Sequence, residues 1–264
     1  MSTLTVEKKT QIASAYEQMF RRANTALPEN DDQWEFVKRH LPEDHEATVL
    51  DAGCGNGKYT RAILQAGYRD TLALDLFESN LESGIDASRY VCASVAATPF
   101  AEEAFDLICS LSVIFYLDDP ADALREYQRL LKPGGKVIIS CHTKYSLFTL
   151  ERIVKRRLKL SSAQHLEHVR FLSAIRYQQM LQEAGFEVIE VDGFRASYLW
   201  TQLGRVFRRV GLPIRNRART KPRSRLIGMI RATFGYHAVL IARKPDSNDD
   251  ARVGRRPAMT NPGS

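Results

Sequence analysis

The sequence predicts an α/β protein built on a doubly wound sheet. Three observations carry that expectation. From Thr48 onward, short apolar runs alternate with stretches whose apolar residues recur at helical spacing. The first apolar run ends in a carboxylate, Asp51, and opens into a turn with three alternating glycines before the next helix. A length of 264 residues suits one large domain with additions, with ample chain for a proper core.

Ahead of the alternation, Ile12, Ala15, Met19 and Ala23 share one face of a helix expected over 5–25. A second helix, Asp31–His40, follows Pro28 with acids in its first turn and is ended by Leu41-Pro42. The first strand is Thr48–Asp51, and its helix runs to about Ala66, where Gly67 stops it. The second strand, Thr71–Leu74, ends at Asp75, and the third is Arg89–Ala93. Phe105–Leu111, apolar almost throughout, reads as a strand covered on both faces. Helix Pro120–Leu131 presents Leu124, Tyr127, Leu130 and Leu131 together; Lys132-Pro133-Gly134-Gly135 is a tight turn into strand Lys136–Ser140. A further helix ends at Ala184-Gly185, strand Phe186–Val191 follows, and Tyr236–Ala242 is the last strand.

The glycine turn holds the chemistry. Gly53, Gly55 and Gly57 allow a sharp backbone turn and leave no side chain between backbone and ligand. The helix that follows offers N–H groups and a positive dipole end, suited to a carboxylate or phosphate. A phosphate-binding P-loop would need a glycine where Ala52 stands and a Ser or Thr where Tyr59 stands, so that reading fails. A dinucleotide fingerprint needs G-x-G-x-x-G, whereas this chain has G-x-G-x-G behind an acid. Asp75, eighteen residues after Gly57, is placed to accept from both hydroxyls of a nucleoside ribose. A glycine turn without a ligand is the plainer alternative.

The pattern D-x-G-x-G-x-G after an apolar strand resembles motif I of the class I S-adenosylmethionine-dependent methyltransferases, of the small-molecule and lipid type. About ninety residues, from this motif through the L-K-P-G-G-K run and its strand, match that family in order and spacing. The resemblance implies a Rossmann-like, seven-stranded, mostly parallel sheet whose last two strands pair at one edge. It implies S-adenosylmethionine as cofactor, held by Asp51, Gly53, Gly55, Gly57, Asp75, Leu76, Ser94, Val95 and Leu111. Ser94 stands where the family usually has Asp at the adenine edge, and Thr98 where it has Leu. Phe115-Tyr116 replaces a frequent Glu-His pair, leaving an aromatic wall instead of two acid/base groups. Tyr16, within AYEQMF, is similar to the family's lid tyrosine; an aromatic anchor to the core is the other reading.

Methyl transfer to a hydroxyl or amine also needs a proton removed, and His142, at a strand's carboxyl end, is the first candidate base. His165 and His168 come next. No metal-ligand set is expected. The four cysteines form no C-x-x-C pair and read as buried reduced thiols.

The net charge of +7 is local: residues 195–231 hold eleven Lys or Arg and no acid, leaving the rest of the chain at −4. Trp200, Leu203, Phe207 and Val210 share a helix face there, ringed by Arg205, Arg208 and Arg209. Such a segment suits an anionic membrane surface through 198–225 or an anionic substrate; a solvated cover is the bland alternative. The expected organisation is a helical lid over 1–45, the methyltransferase domain over 46–244 with the basic insertion at 195–231, and a disordered tail over 245–264. The polar N-terminus lacks the apolar core of a secretory signal, so a cytoplasmic enzyme with peripheral membrane contact is expected. Its acceptor would be small or lipid-like. An RNA methyltransferase and a non-catalytic cofactor-binding partner protein are the alternatives. The chain lacks the Asn/Asp-Pro-Pro-aromatic tetrapeptide, which argues against methylation of nucleic-acid bases.

Overall fold

The computed structural model describes residues 27, 31–77, 85–146, 149–150, 153–154, 157–158, 170–194, 225–235 and 237–246. The helix expected over 5–25, Tyr16, His165, His168, residues 195–224 and the tail beyond 246 lie outside them.

In chain order the elements are α1 (Asp32–His40), β1 (Val49–Ala52), α2 (Lys58–Gln65), β2 (Thr71–Asp75), β3 (Tyr90–Cys92) and β4 (Phe105–Leu111). There follow α3 (Pro120–Leu130), β5 (Leu131–His142), α4 (Ala174–Glu183), β6 (Glu187–Phe194), α5 (Arg225–Phe234) and β7 (His237–Arg243). Seven strands form one sheet in the order β3-β2-β1-β4-β5-β7-β6. Strands β1 to β5 pair in parallel, and β7 runs antiparallel to both neighbours. The chain moves outward from β1 through β2 to β3, then returns to the other side of β1 with β4. That reversal opens a crevice at the carboxyl ends of β1 and β4, where doubly wound sheets take their ligands.

Strand periodicity divides the apolar residues between two cores. Leu50, Ile108, Ile139 and Leu240 face α3 and α4, meeting Leu124, Tyr127, Tyr177 and Leu181. Their neighbours Val49, Leu107, Ile138 and Ile241 face the other way, against Phe36, Val37 and Ile63 of α1 and α2. Both sheet faces are thus covered, which is why the strands read as unbroken apolar runs.

Helix α1 is capped by Asp31, whose carboxylate accepts from the Gln33 and Trp34 amides, each at 3.0 Å. Asp32 and Glu35 sit in its first turn and Lys38, Arg39 and His40 in its last, in accord with the helix dipole. Phe36 and Val37 are fully buried, so this part of the N-terminal segment is built into the body.

Two expectations are corrected. Strand β5 begins at Leu131, before the expected turn. Phe105 pairs with Leu131 and Leu107 with Lys136, so Lys132–Gly135 forms an outward bulge inside the strand, with Gly134 at φ +76°. Cys92 is exposed, because β3 is a three-residue edge strand; Cys54, Cys109 and Cys141 are buried, and all four are free thiols.

Glu126 of α3 fixes the connection between β3 and β4. Its carboxylate accepts from the Thr98 amide at 3.0 Å and hydroxyl at 2.6 Å, and from Arg129 at 2.7 and 3.0 Å. Arg129 and Thr98 together hold the Glu126 carboxyl down at about 2, against an ordinary 4.5. A lowered folded-state value contributes stability above the unfolded pKa and loses it as pH falls toward the folded one. Glu126→Gln should therefore be about 1–2 kcal/mol less stable than wild type at neutral pH, after allowance for the exposed Arg129. Denaturation at stepped pH should show that gap closing between pH 4.5 and about 2.

Candidate functional site

The turn after β1 is made by its glycines: Gly53, Gly55 and Gly57 all lie in the left-handed region, at φ +83°, +54° and +73°. A Cβ on Gly53 would stand 2.3 Å from Cγ2 of Val113, just beyond β4. Only a glycine lets the β1 and β4 loops approach so closely on either side of the crevice.

The turn's amides point into the protein. Gly53 and Cys54 both donate to the Leu74 carbonyl of β2, at 2.6 and 2.9 Å, and Gly57 donates to the Cys54 carbonyl at 2.9 Å. Gly55 donates to the Asp75 carboxylate at 2.8 Å, and Phe77 donates to its other oxygen at 3.1 Å. Asp75 therefore sits half-buried at the carboxyl end of β2, held by two amides, with the exposed Leu76 beside it.

Asp51 is buried, and its side chain serves the protein rather than the surface of the turn. It accepts from the Thr60 hydroxyl at 2.6 Å, and the Thr60 amide also bonds it. Burial pushes its carboxyl up to about 6; Thr60 opposes that rise, while the nearby Asp75 adds to it. Burial, with Asp51 and Asp75 close by, also holds the Cys54 thiol far above its ordinary value, so it is inert.

On the other side of Asp75, the Ser94 hydroxyl accepts from the Ala96 amide at 3.3 Å, within its own turn. Val95 is buried in the core beside it. Thr98, the residue that departs from the family pattern, is the partner of Glu126, so the departure comes with its own anchor. At the end of β4, Leu111 is buried and Ser112 adopts φ +64°. The Ser112 amide donates to the Ser140 carbonyl at 3.1 Å and hydroxyl at 2.9 Å.

His142 ends β5, but it is only 6% exposed. Its ring lies 4.4 Å from Phe115 and 4.6 Å from His237, its register partner on β7. It is an enclosed imidazole in an aromatic pocket, not an open one at the strand's end.

Sequence reasoning missed the residues that join these parts. Gln33 of α1 accepts from the Ser140 hydroxyl at 2.9 Å and donates to Nδ1 of His237 at 3.1 Å. Asp31 accepts from the Tyr59 hydroxyl at 3.1 Å and pairs with Lys58 at 3.3 Å. Helix α1 thus links the glycine-turn helix to the histidine end of β5. Only the capping role of Asp31 carried a sequence signal.

A family profile described as a methyltransferase domain matches residues 16–191. The malonyl-(acyl-carrier protein) O-methyltransferase of Erwinia pyrifoliae is 33% identical over 146 residues, covering 54% of this chain and 55% of that protein. The ubiquinone biosynthesis O-methyltransferase of Idiomarina loihiensis is 27% identical over 176 residues, covering 60% of this chain and 69% of that one. The chain spans about half the length of the malonyl-group relatives it matches. Among solved structures, the (4+2)-cyclase SpnF superposes with TM-score 0.62 at 18% identity, covering 90% of this chain and 97% of that one. An S-adenosylmethionine-dependent methyltransferase from Mesorhizobium loti gives TM-score 0.55 at 20% identity, covering 81% and 98%. These superpositions establish the fold.

The raised carboxyl of Asp51 has a measurable signature. Between pH 4 and about 6 the folded protein keeps a proton that the unfolded chain has released, so stability falls as pH rises through that window. Asp51→Asn keeps an acceptor for Thr60 and removes the titration. Its stability relative to wild type should rise across the window by up to about 3 kcal/mol, read by denaturant melts at stepped pH.

Proposed function

The chain belongs to the methyltransferase-domain family, whose cofactor is S-adenosylmethionine, and we propose that it methylates an oxygen acceptor on a small or lipid-like substrate. The observation that carries the reading is the direction of the turn's amides. A phosphate cradle aims its N–H groups outward at the ligand. Here those of Gly53, Cys54, Gly55 and Gly57 are engaged inside the protein, and the Lys58 amine pairs with Asp31. The site fits a nucleoside cofactor that has no phosphates, and Asp75 offers the acceptor that its ribose hydroxyls need. The O-methyltransferase names of the curated relatives support oxygen over nitrogen.

In this reading Asp75 accepts from the ribose, and the side-chain-free turn at Gly53, Gly55 and Gly57 lets the cofactor lie against the backbone. Leu76, Val95 and the Leu111 backbone edge the same crevice, with Ser94 as a neutral hydrogen-bonding neighbour and Asp51 fixing the turn from beneath. The cofactor supplies an electrophilic methyl group on a good leaving group. The protein's part is alignment and exclusion of water, for which the Phe115 and Phe171 walls around His142 are suited. His142 takes the acceptor's proton at Nε2, since its Nδ1 is buried from solvent. Tyr16 lies outside the described residues, and its lid role rests on the sequence resemblance.

Calorimetry should detect S-adenosylmethionine and S-adenosylhomocysteine binding to wild type, weakened about 10- to 100-fold in Asp75→Ala. No binding to wild type would sink the reading. With a panel of hydroxyl-bearing acceptors, His142→Gln should keep cofactor affinity. Its kcat should fall about 10²- to 10⁴-fold. Unchanged turnover would remove His142 from the chemistry.

A further inference from the structure

We infer that the carboxyl end of the sheet carries a docking face for an anionic lipid bilayer, built on the outer stripe of α5. An ordinary surface helix turns its large apolar residues to the core and its polar ones to water. Helix α5 does the reverse. Gly228, Ala232 and the following Gly235 are buried, where the helix packs on β6 and β7. Leu226, Ile230 and Phe234 point outward at 69%, 51% and 61% exposure, on one line four residues apart.

A second stripe lies close by. Leu150, Val154 and Leu158, again four apart, are all exposed. Thr143, the residue after His142, joins the two. Its hydroxyl donates to the Gly235 carbonyl at 2.5 Å, and its own carbonyl accepts from the Thr149 hydroxyl at 2.5 Å. Phe234 and Leu150 are therefore each one residue from a group bonded to Thr143. The exposed apolar surface borders the end of the sheet that holds the histidines.

Contiguous exposed apolar residues mark a contact surface, and charge identifies the occupant. Lys144, Arg157 and Arg225 are exposed on these same segments. From 195 to 235 the sequence has eleven Lys or Arg and neither Asp nor Glu. A second copy of the chain would bring these like charges together, which costs affinity. An anionic bilayer satisfies both features: headgroups take the cations, and Leu226, Ile230 and Phe234 enter the acyl boundary. Among the described residues no helix is long and apolar enough to cross a membrane. The inference stands apart from methyl transfer, because binding is read without turnover.

The test is co-sedimentation of the full chain with vesicles of phosphatidylcholine alone and with phosphatidylglycerol added. Wild type should bind the anionic vesicles and release them as salt rises. Leu226→Ser/Ile230→Ser/Phe234→Ser should lower the partition at least about tenfold while keeping wild-type cofactor affinity as proof of folding. Leu150→Ser/Leu158→Ser should lower it independently. Four outcomes would overturn the inference: equal binding to both vesicles, none to either, undiminished binding by both variants, or a wild-type dimer that the triple variant makes monomeric. Capture of an acidic carrier protein in place of vesicles would do the same.

Discussion

A carboxylate withdrawn from water needs partners, and much of the site's geometry follows from how Asp51 finds them. Its bonds to Thr60 tie the end of β1 to the first turn of α2. The two residues between the strand and Gly55 must then fold back sharply, and left-handed glycines make that possible. Once folded back, the turn directs two amides onto the Leu74 carbonyl and a third onto Asp75. One buried acid thus sets the position of the half-buried one. The nearby Asp75 adds to the resistance of Asp51 to ionisation, and a cationic ligand over the crevice would relieve that repulsion.

Helix α1 gives the site its second constraint. Asp31 reaches the Lys58 and Tyr59 side chains of α2, and Gln33 reaches Ser140 and His237. Ser140 in turn receives the Ser112 amide at the end of β4. The glycine-turn side and the histidine side are therefore parts of one hydrogen-bonded assembly. Displacing α1 would disturb both together, although Phe36 and Val37 anchor it firmly in the second core.

The doubly wound sheet was legible because its signals are local and repeated: apolar runs bounded by Gly67, Gly134 and Gly185, and a glycine turn at a fixed distance from Asp75. The strand boundaries came within a residue or so, except at β6, which runs three residues past the expected Val191, and at β5, where a bulge carries a turn sequence inside a ladder. Gln33 and Glu126 were invisible for a different reason. Each is a single polar residue on a helix face, and its partners lie at sequence separations that no periodicity encodes. Cys92 was misjudged because burial at a strand end depends on whether the strand is central or at the edge, and only the strand order decides that. The enclosure of His142 depends on Phe115 and on its pairing with His237, two contacts made by separate parts of the chain.

The insertion of β7 between β5 and β6 has a consequence for how the molecule is made. A ribosome delivers β5 and β6 well before His237–Arg243, and until then the two strands have no partner between them. Unpaired strand edges invite association with other chains. The nascent protein must therefore hold an open seam in its sheet from the emergence of β5 until that of β7. Strand β7 closes that seam like a wedge driven from the side, pairing in both directions at once. Folding yield in the cell should accordingly depend on the interval between emergence of β6 and of β7, a delay set by the long basic stretch that separates them.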